Sequence, residues 1–453
     1  MTEVVGLDLR CAVGLEALPG ALRAWSMRGS RCSLAQMAKG SSRGADRGTG
    51  TDGAIHLLLA ALIVGGVAVR AYDLGYPEEL TWDEPHFVEN ARNLLEGKPD
   101  WNDHPPLGKL LIATGILAMG DNGIGWRIAP LVFGLALIAL AFALGTSAFR
   151  SKTAGLYAAA FVAASGFVIA FSKTALLDGM LTTLMVAAGL ALWRAHSWVG
   201  ICSAAALIGL SMSIKFTGVV LCLPLIFLAV YRLGVAPKTL CVLILGFAVM
   251  AAVYVAQFSL GLALGGDEYG VVDVLRKTTE LVRHHIGLQD WKHPATSRWY
   301  TWFIPLKTIR LHYVRNGDTV RAMTTSGNPI LWWGINWAVL WTAFELARQA
   351  RNRRLLALAD APPWASGQRY LLLLWFLPLC PWIFTNRDSY IYHYLPSYAF
   401  GLVLFGCLVS TLANPKVRLA LVALIAVVFF YCARVWGKIP LDADSLLHKI
   451  FFR

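Results

Sequence analysis

A chain of 453 residues that is 57% hydrophobic, only 15% charged and has a mean hydropathy of +0.56 is not a soluble globular protein. Its net charge of +13 comes from basic residues scattered between apolar runs, which argues against a nucleic-acid patch and suits the positive-inside bias of a polytopic membrane protein. Cys202, Cys222, Cys241, Cys380, Cys407 and Cys432 lie in or beside apolar runs without CxxC spacing, so neither a disulfide framework nor a cysteine metal site is indicated.

Residues 1–53 are rich in Gly, Ser and Arg and lack the apolar core of a signal peptide. They read as a disordered basic cytoplasmic tail, or as translation from a start codon placed too early. A multispanning domain then occupies 54–453. Apolar runs near the roughly 20 residues a spanning helix needs fall at 54–72, 127–149, 154–171, 178–193, 198–214, 216–231, 239–262, 328–346, 370–385, 391–412 and 417–434. The expectation is an all-α polytopic protein of about eleven transmembrane helices. With the tail inside, the short loops carry Arg150 and Lys152, Arg194, Arg232 and Lys238, Arg348 to Arg354, and Lys416 and Arg418. The two long segments, 73–126 and 263–327, then face outward.

Outer segment one opens with Thr81-Trp82-Asp83-Glu84-Pro85-His86-Phe87. Thr81 to Glu84 fits a capping box, whereas Pro85 at the first helical position would make Glu84 the N-cap. An amphipathic helix follows through Phe87, Ala91, Leu94 and Leu95 and stops at Gly97 and Pro99. The carboxylate pair at its head either caps that helix or does chemistry. Next comes His104-Pro105-Pro106-Leu107-Gly108-Lys109, where the prolines open a second helix. A lysine in a first turn opposes the helix dipole and makes better sense if an anion binds there.

Further cations stand at outward ends: Arg127, Lys173, Lys215 and Arg387, the last followed by Tyr392 and His393. Asp178 lies close to Lys173 in sequence. Each alone reads as an interfacial anchor; together on one membrane face they suit a lipid-linked phosphate. Outer segment two offers His284-His285, His293-Pro294 and Arg298-Trp299-Tyr300-Thr301-Trp302. Its histidines match no zinc spacing, and its aromatics suit either the membrane interface or a sugar face.

These pieces together resemble the protein O-mannosyltransferases, glycosyltransferase family 39. The matching stretches are Asp83 to Phe87, His104 to Lys109, Ser172 to Asp178, Gly209 to Gly218, Ser297 to Trp302, Gly327-Asn328-Pro329 with Trp332-Trp333, and Tyr392 to Pro396, in the family's order. The resemblance implies a C-type glycosyltransferase fold with amphipathic helices in the first outer loop. It implies transfer of a mannose-type sugar from polyprenyl phosphate to a Ser or Thr hydroxyl of an exported protein. Catalytic roles fall on Asp83 as base and Glu84 beside it. Donor phosphate binding falls on His104, Lys109, Arg127, Lys173, Lys215, Arg387 and His393, and substrate binding on Asp178, Arg298, Trp299, Tyr300 and Tyr392. The partners implied are the lipid-linked donor, a hydroxyl acceptor and membrane lipid, with no nucleic acid, no metal and no cofactor. The location implied is the inner (plasma) membrane, with an extracytoplasmic site.

The sequence departs from the family where Asn102, next to Asp103, replaces an aspartate, and where Lys173 stands for a common arginine. About 65 residues occupy the second outer segment, as in bacterial relatives without the soluble loop domain. Two other readings stand beside this one. The first is a polyprenyl-phosphate-sugar transferase with a lipid or glycan acceptor, such as the lipid A aminoarabinose transferases. The second is a lipid or sugar transporter, against which speak charges clustered at one surface and the lack of a visible repeat.

Overall fold

The computed structural model describes residues 49–99, 103–287, 293–305, 307–351, 365–385 and 388–452. The expected tail, 1–53, lies outside the described residues up to position 48. The chain divides into two units at residue 50, and the architecture below is that of Thr51–Arg453. Helix α1 runs Thr49–Ala71, followed by α2 (Glu84–Leu95), α3 (Leu107–Met119), α4 (Gly123–Phe149), α5 (Lys152–Ala163) and α6 (Gly166–Ser172). Then come α7 (Leu177–Arg194), α8 (Trp198–Met212), α9 (Cys222–Leu233), α10 (Pro237–Leu264) and α11 (Val271–Gly287). Strands β1 (Arg310–Asn316) and β2 (Thr319–Thr324) precede α12 (Pro329–Arg351), α13 (Ala365–Phe376), α14 (Cys380–Phe384), α15 (Leu395–Ser410) and α16 (Pro415–Gly437). The chain closes with β3 (Leu441–Asp442) and α17 (Leu446–Phe452).

Every expected span falls on helix. Among the described residues six helical stretches are long and apolar enough to cross a membrane, and the pair α5–α6, bent by 67°, makes a seventh. The other four expected spans fall on α7, α8, α12 and α13–α14, which are shorter or less apolar. The centre of the bundle is α15, buried along almost its whole length and packed on α5, α7, α12 and α13. Small residues allow this closeness: a Cβ on Gly406 would lie 2.8 Å from the backbone nitrogen of Ala158 in α5.

One small sheet accompanies the helical bundle. Strands β1, β2 and β3 form a three-stranded antiparallel sheet in and beyond the second outer segment. Asn316 pairs with Thr319, so Gly317-Asp318 is a two-residue hairpin loop, and Gly317 takes φ +58° there. Gly-Asp as a two-residue loop between Val314 and Val320 is a short-range hairpin signal, with Gly at the first loop position where φ is positive.

In the first outer segment α2 buries Phe87, Ala91 and Leu94 of the expected stripe together with Val88, while Leu95, also expected there, is exposed. Helix α3 is tied to the α8 end by a hydrogen bond from Leu107 N–H to the Ser213 carbonyl, 3.0 Å. That contact brings the His104–Lys109 loop beside the turn carrying Lys215.

Candidate active site

The corner at residues 81–84 gives its two carboxylates different work. Asp83 is the N-cap of α2, Glu84 begins the helix and Pro85 follows, so the helix starts one residue earlier than a Pro85 first position implies. Yet the Asp83 side chain makes no capping hydrogen bond. Trp82, just before it, holds φ +52°, a left-handed conformation costly for a bulky residue and typical of functional corners. Glu84 instead turns inward and is fully buried. Its Oε2 accepts from Thr81 N–H at 2.9 Å and from Thr81 Oγ1 at 3.0 Å, which is half of the expected capping box. Arg127 grips both its oxygens, Nε to Oε1 and Nη2 to Oε2, each at 2.8 Å, and Ala175 N–H adds a third donor at 2.8 Å.

Arg127 therefore leaves the expected ring of phosphate ligands. It is buried in α4, and its Nη1 donates to the carbonyls of Leu74, Gly75 and Pro77 while Nη2 also reaches that of Glu79. All five N–H groups of a guanidinium are engaged by such a set. Lys173 leaves it too. Buried, its ammonium donates to the carbonyls of Val69 and Arg70 at 3.1 and 3.3 Å and to that of Tyr72, closing the C-terminal end of α1. Arg387 lies outside the described residues, as does Asn102.

Electrostatics separates the pair further. Burial raises the Asp83 carboxyl pKa, and nearby Asp178 adds to the rise, while Lys215, His86 and His293 oppose it. For Glu84 burial acts in the same direction, but the Arg127 guanidinium and the Ala175 amide outweigh it and hold the carboxyl below its usual range. One carboxyl is a locked anion. The other is partly exposed, unlocked and more basic than an ordinary aspartate.

Around Asp83 the structure gathers several of the remaining residues. Lys215 Nζ contacts Asp178 Oδ1 and Oδ2 at 3.0 and 2.8 Å and lies 5.5 Å from the centre of the Tyr392 ring. An ammonium has three N–H groups, so at least one is left for a substrate oxygen. Asp178, expected to touch substrate, is thus the counter-ion of Lys215. Tyr392 stacks on Tyr390 at 5.1 Å, and His393 stacks on Trp382 at 3.7 Å with Nδ1 accepting from Tyr390 N–H.

His104 and Lys109 stand to one side. They line a cavity of about 70 Å³ with Pro106, Phe258, Leu262 and His284, and the Lys109 ammonium donates to the His104 carbonyl at 3.0 Å. The His104 ring stacks between Phe87, at 6.2 Å, and His285, at 5.3 Å. In the second outer segment Arg298 and Tyr300 are exposed and Trp299 half-buried, at an edge rather than in the core. Trp302 is the buried anchor of that stretch, with Nε1 on Ser297 Oγ at 3.0 Å.

His293 and Trp82 belong to this neighbourhood and were not expected in it. Their rings meet edge-on at 5.8 Å, His293 N–H donates to Asp388 Oδ2 at 3.1 Å, and Ala295 N–H holds His293 Nδ1 at 3.1 Å. The sequence offers only the pair His293-Pro294, a signal too short to place.

This bundle with its outer amphipathic helices has the C-type glycosyltransferase fold. The structure superposes on the S. cerevisiae protein O-mannosyltransferase Pmt1-Pmt2 complex bound to the sugar donor with a TM-score of 0.69, at 12% identity over 85% of this chain and 90% of that one. It superposes on ArnT from Cupriavidus metallidurans with a TM-score of 0.51, at 16% identity over 80% and 60% of the two chains. Sequence profiles described as dolichyl-phosphate-mannose-protein mannosyltransferase match residues 60–126 and 103–257, and one for the C-terminal four TMM region of protein-O-mannosyltransferase matches 272–440. The chain belongs to the protein O-mannosyltransferase family, glycosyltransferase family 39. A polyprenol-phosphate-mannose--protein mannosyltransferase of Mycobacterium tuberculosis is 28% identical over 338 residues, 58% of this chain, and this chain spans 64% of that relative's length. The corresponding protein of Mycolicibacterium smegmatis is 26% identical over 60% of this chain and 69% of its own length.

Proposed function

We propose that this protein is a membrane glycosyltransferase that moves a mannose-type sugar from polyprenyl phosphate to a Ser or Thr hydroxyl of an exported protein. The reaction is a single displacement. The acceptor oxygen attacks the sugar carbon, the bond from that carbon to the phosphate oxygen breaks, and the electron pair leaves with the phosphate. The acceptor proton passes to Asp83, and the sugar carbon inverts. A hydroxyl is a poor nucleophile until a positioned base takes its proton, and a phosphate leaves readily once cations hold its charge.

The observation that carries this reading is the split at residues 83 and 84, where Glu84 is spent on Arg127 and Asp83 is left unlocked with a raised pKa. Asp83 is then the catalytic base and Glu84 a positioning residue. Lys215, Lys109 and His104 supply the phosphate contacts, together with His393, which neighbours Tyr392 at 4.7 Å, and Tyr392 is the aromatic platform of the site. Trp299, Tyr300 and Arg298 serve acceptor or interface. The site faces the extracytoplasmic side of the inner membrane, as the basic inner loops imply.

Asp83→Asn tests the assignment in purified protein given a polyprenyl-phosphate-mannose donor and an acceptor peptide. Turnover should fall by about 10² to 10⁴, the worth of a general base, with donor affinity kept. Turnover within a few-fold of the parent would remove Asp83 from the chemistry.

A further inference from the structure

Helix α11 carries two apolar faces, and only one is packed inside the protein. Val274 and Leu281 meet Phe258 and Leu262 of α10, and Thr278 Oγ1 hydrogen-bonds the Tyr254 hydroxyl at 2.9 Å. On another face Val272, Leu275, Val282 and Ile286 recur at helical spacing and are 76%, 60%, 42% and 62% exposed. Arg276 and Arg283, both exposed, border that stripe on one side, and Arg276 also reaches Asp273 at 3.3 Å.

What lies against the stripe follows from where the helix is tied. Residues 265–270 join it to α10, whose membrane-crossing window is only 11% buried within the protein, so α10 is a peripheral span facing lipid over most of its surface. A helix packed on the last turns of such a span stays at the membrane face. Four aliphatic side chains on one short helix fall well below the roughly 800 Å² per partner of a stable protein interface. An aliphatic stripe with arginines along its edge suits a bilayer surface with anionic headgroups.

We propose that α11 is an interfacial helix whose exposed stripe docks on the lipid surface beside α10, with Arg276 and Arg283 on the headgroups. Its inner edge, Lys277, Glu280, Leu281 and His284, lines the Lys109 cavity, and His284 Nε2 sits 2.9 Å from Asp103 Oδ1 in the first outer segment. The helix is thus the wall between the bilayer and that cavity. The inference concerns an interaction surface and stands whether or not the proposed reaction is right.

The test places the photo-crosslinking residue p-benzoylphenylalanine at position 275, 282 or 280 of the full chain, reconstituted in phosphatidylglycerol vesicles, with adducts read by mass spectrometry. Positions 275 and 282 should give phospholipid adducts and position 280, on the polar side, few or none. In the position-282 protein the double change Arg276→Glu, Arg283→Glu should lower the lipid adduct by about 30-fold, the worth of two basic side chains near an anionic surface. The double change alters only exposed side chains, so the fold is retained. Equal lipid adducts at all three positions, adducts to a second copy of the chain at 275 and 282, or an adduct yield untouched by the double change would overturn the proposal.

Discussion

At Asp83 the direction of the pKa shift fixes what pH does. Burial raises it above the usual aspartate value of about 3.9. A base works only when deprotonated, so the acid limb of kcat/KM should lie above that value and move when Lys215, its main opposing charge, is changed to Gln. A limb at or below the ordinary aspartate value would count against the base. The same shift has a cost in stability. A group whose folded pKa is raised binds its proton more tightly folded than unfolded, so stability falls as pH rises from the unfolded value through the folded one. Asp83→Asn should therefore leave Tm unchanged or higher at neutral pH while turnover collapses. Glu84 has the opposite sign. Its lowered pKa contributes stability that is present above about 4.3 and lost as pH falls through the folded value. Glu84→Gln keeps the shape but leaves the buried Arg127 without its counter-charge, at a cost of about 3–5 kcal/mol. Thermal unfolding in detergent checks this, and a Tm equal to the parent's would mean that the pair is not what holds the corner.

Between elements the bundle depends on close approach of backbones. A Cβ on Gly406 of α15 would come within 3 Å of three backbone atoms of α5, at Tyr157 and Ala158, so no side-chain movement relieves it. Gly406→Ala should cost about 1–3 kcal/mol, the range for overpacking. Gly53 of α1 has open space where its Cβ would be, so Gly53→Ala should be neutral or slightly stabilising, as Ala favours helix by roughly 1 kcal/mol over Gly. Equal Tm shifts for the two variants would show that helix contact at α5 and α15 does not limit stability. The same scale explains the place of Lys173. Lys173 sits where α1 ends, and a helix end buried without donors is costly, so its ammonium serves carbonyls rather than a substrate.

For the whole molecule the orientation is the prediction that matters most, because it decides which side of the membrane meets the donor. By the positive-inside bias, the basic residues of the short loops predict that α2 and the Arg298–Trp302 stretch lie outside. With a membrane-impermeant maleimide on intact cells, Glu89→Cys and Tyr300→Cys should label above the parent, and His196→Cys only after permeabilisation. The reverse pattern would place the site on the cytoplasmic side.

The sequence by itself determined the class of molecule, the places of its apolar helices, the amphipathic α2 and the corner at Asp83. Each of these rests on composition or on spacing within some twenty residues, which the chain carries locally. Even the hairpin at Gly317-Asp318 is legible in the sequence. Only the tertiary structure decided what each charge does. Glu84 meets Arg127 across 43 positions and Ala175 across 91, Lys173 reaches carbonyls more than 100 positions away, and Lys215 finds Asp178 across 37. A buried charge takes its role from the partner that offsets its desolvation, and that partner comes from another element. The sequence therefore marked a set of candidate cations, and packing separates Arg127 and Lys173, which hold the frame, from Lys215 beside the unlocked aspartate.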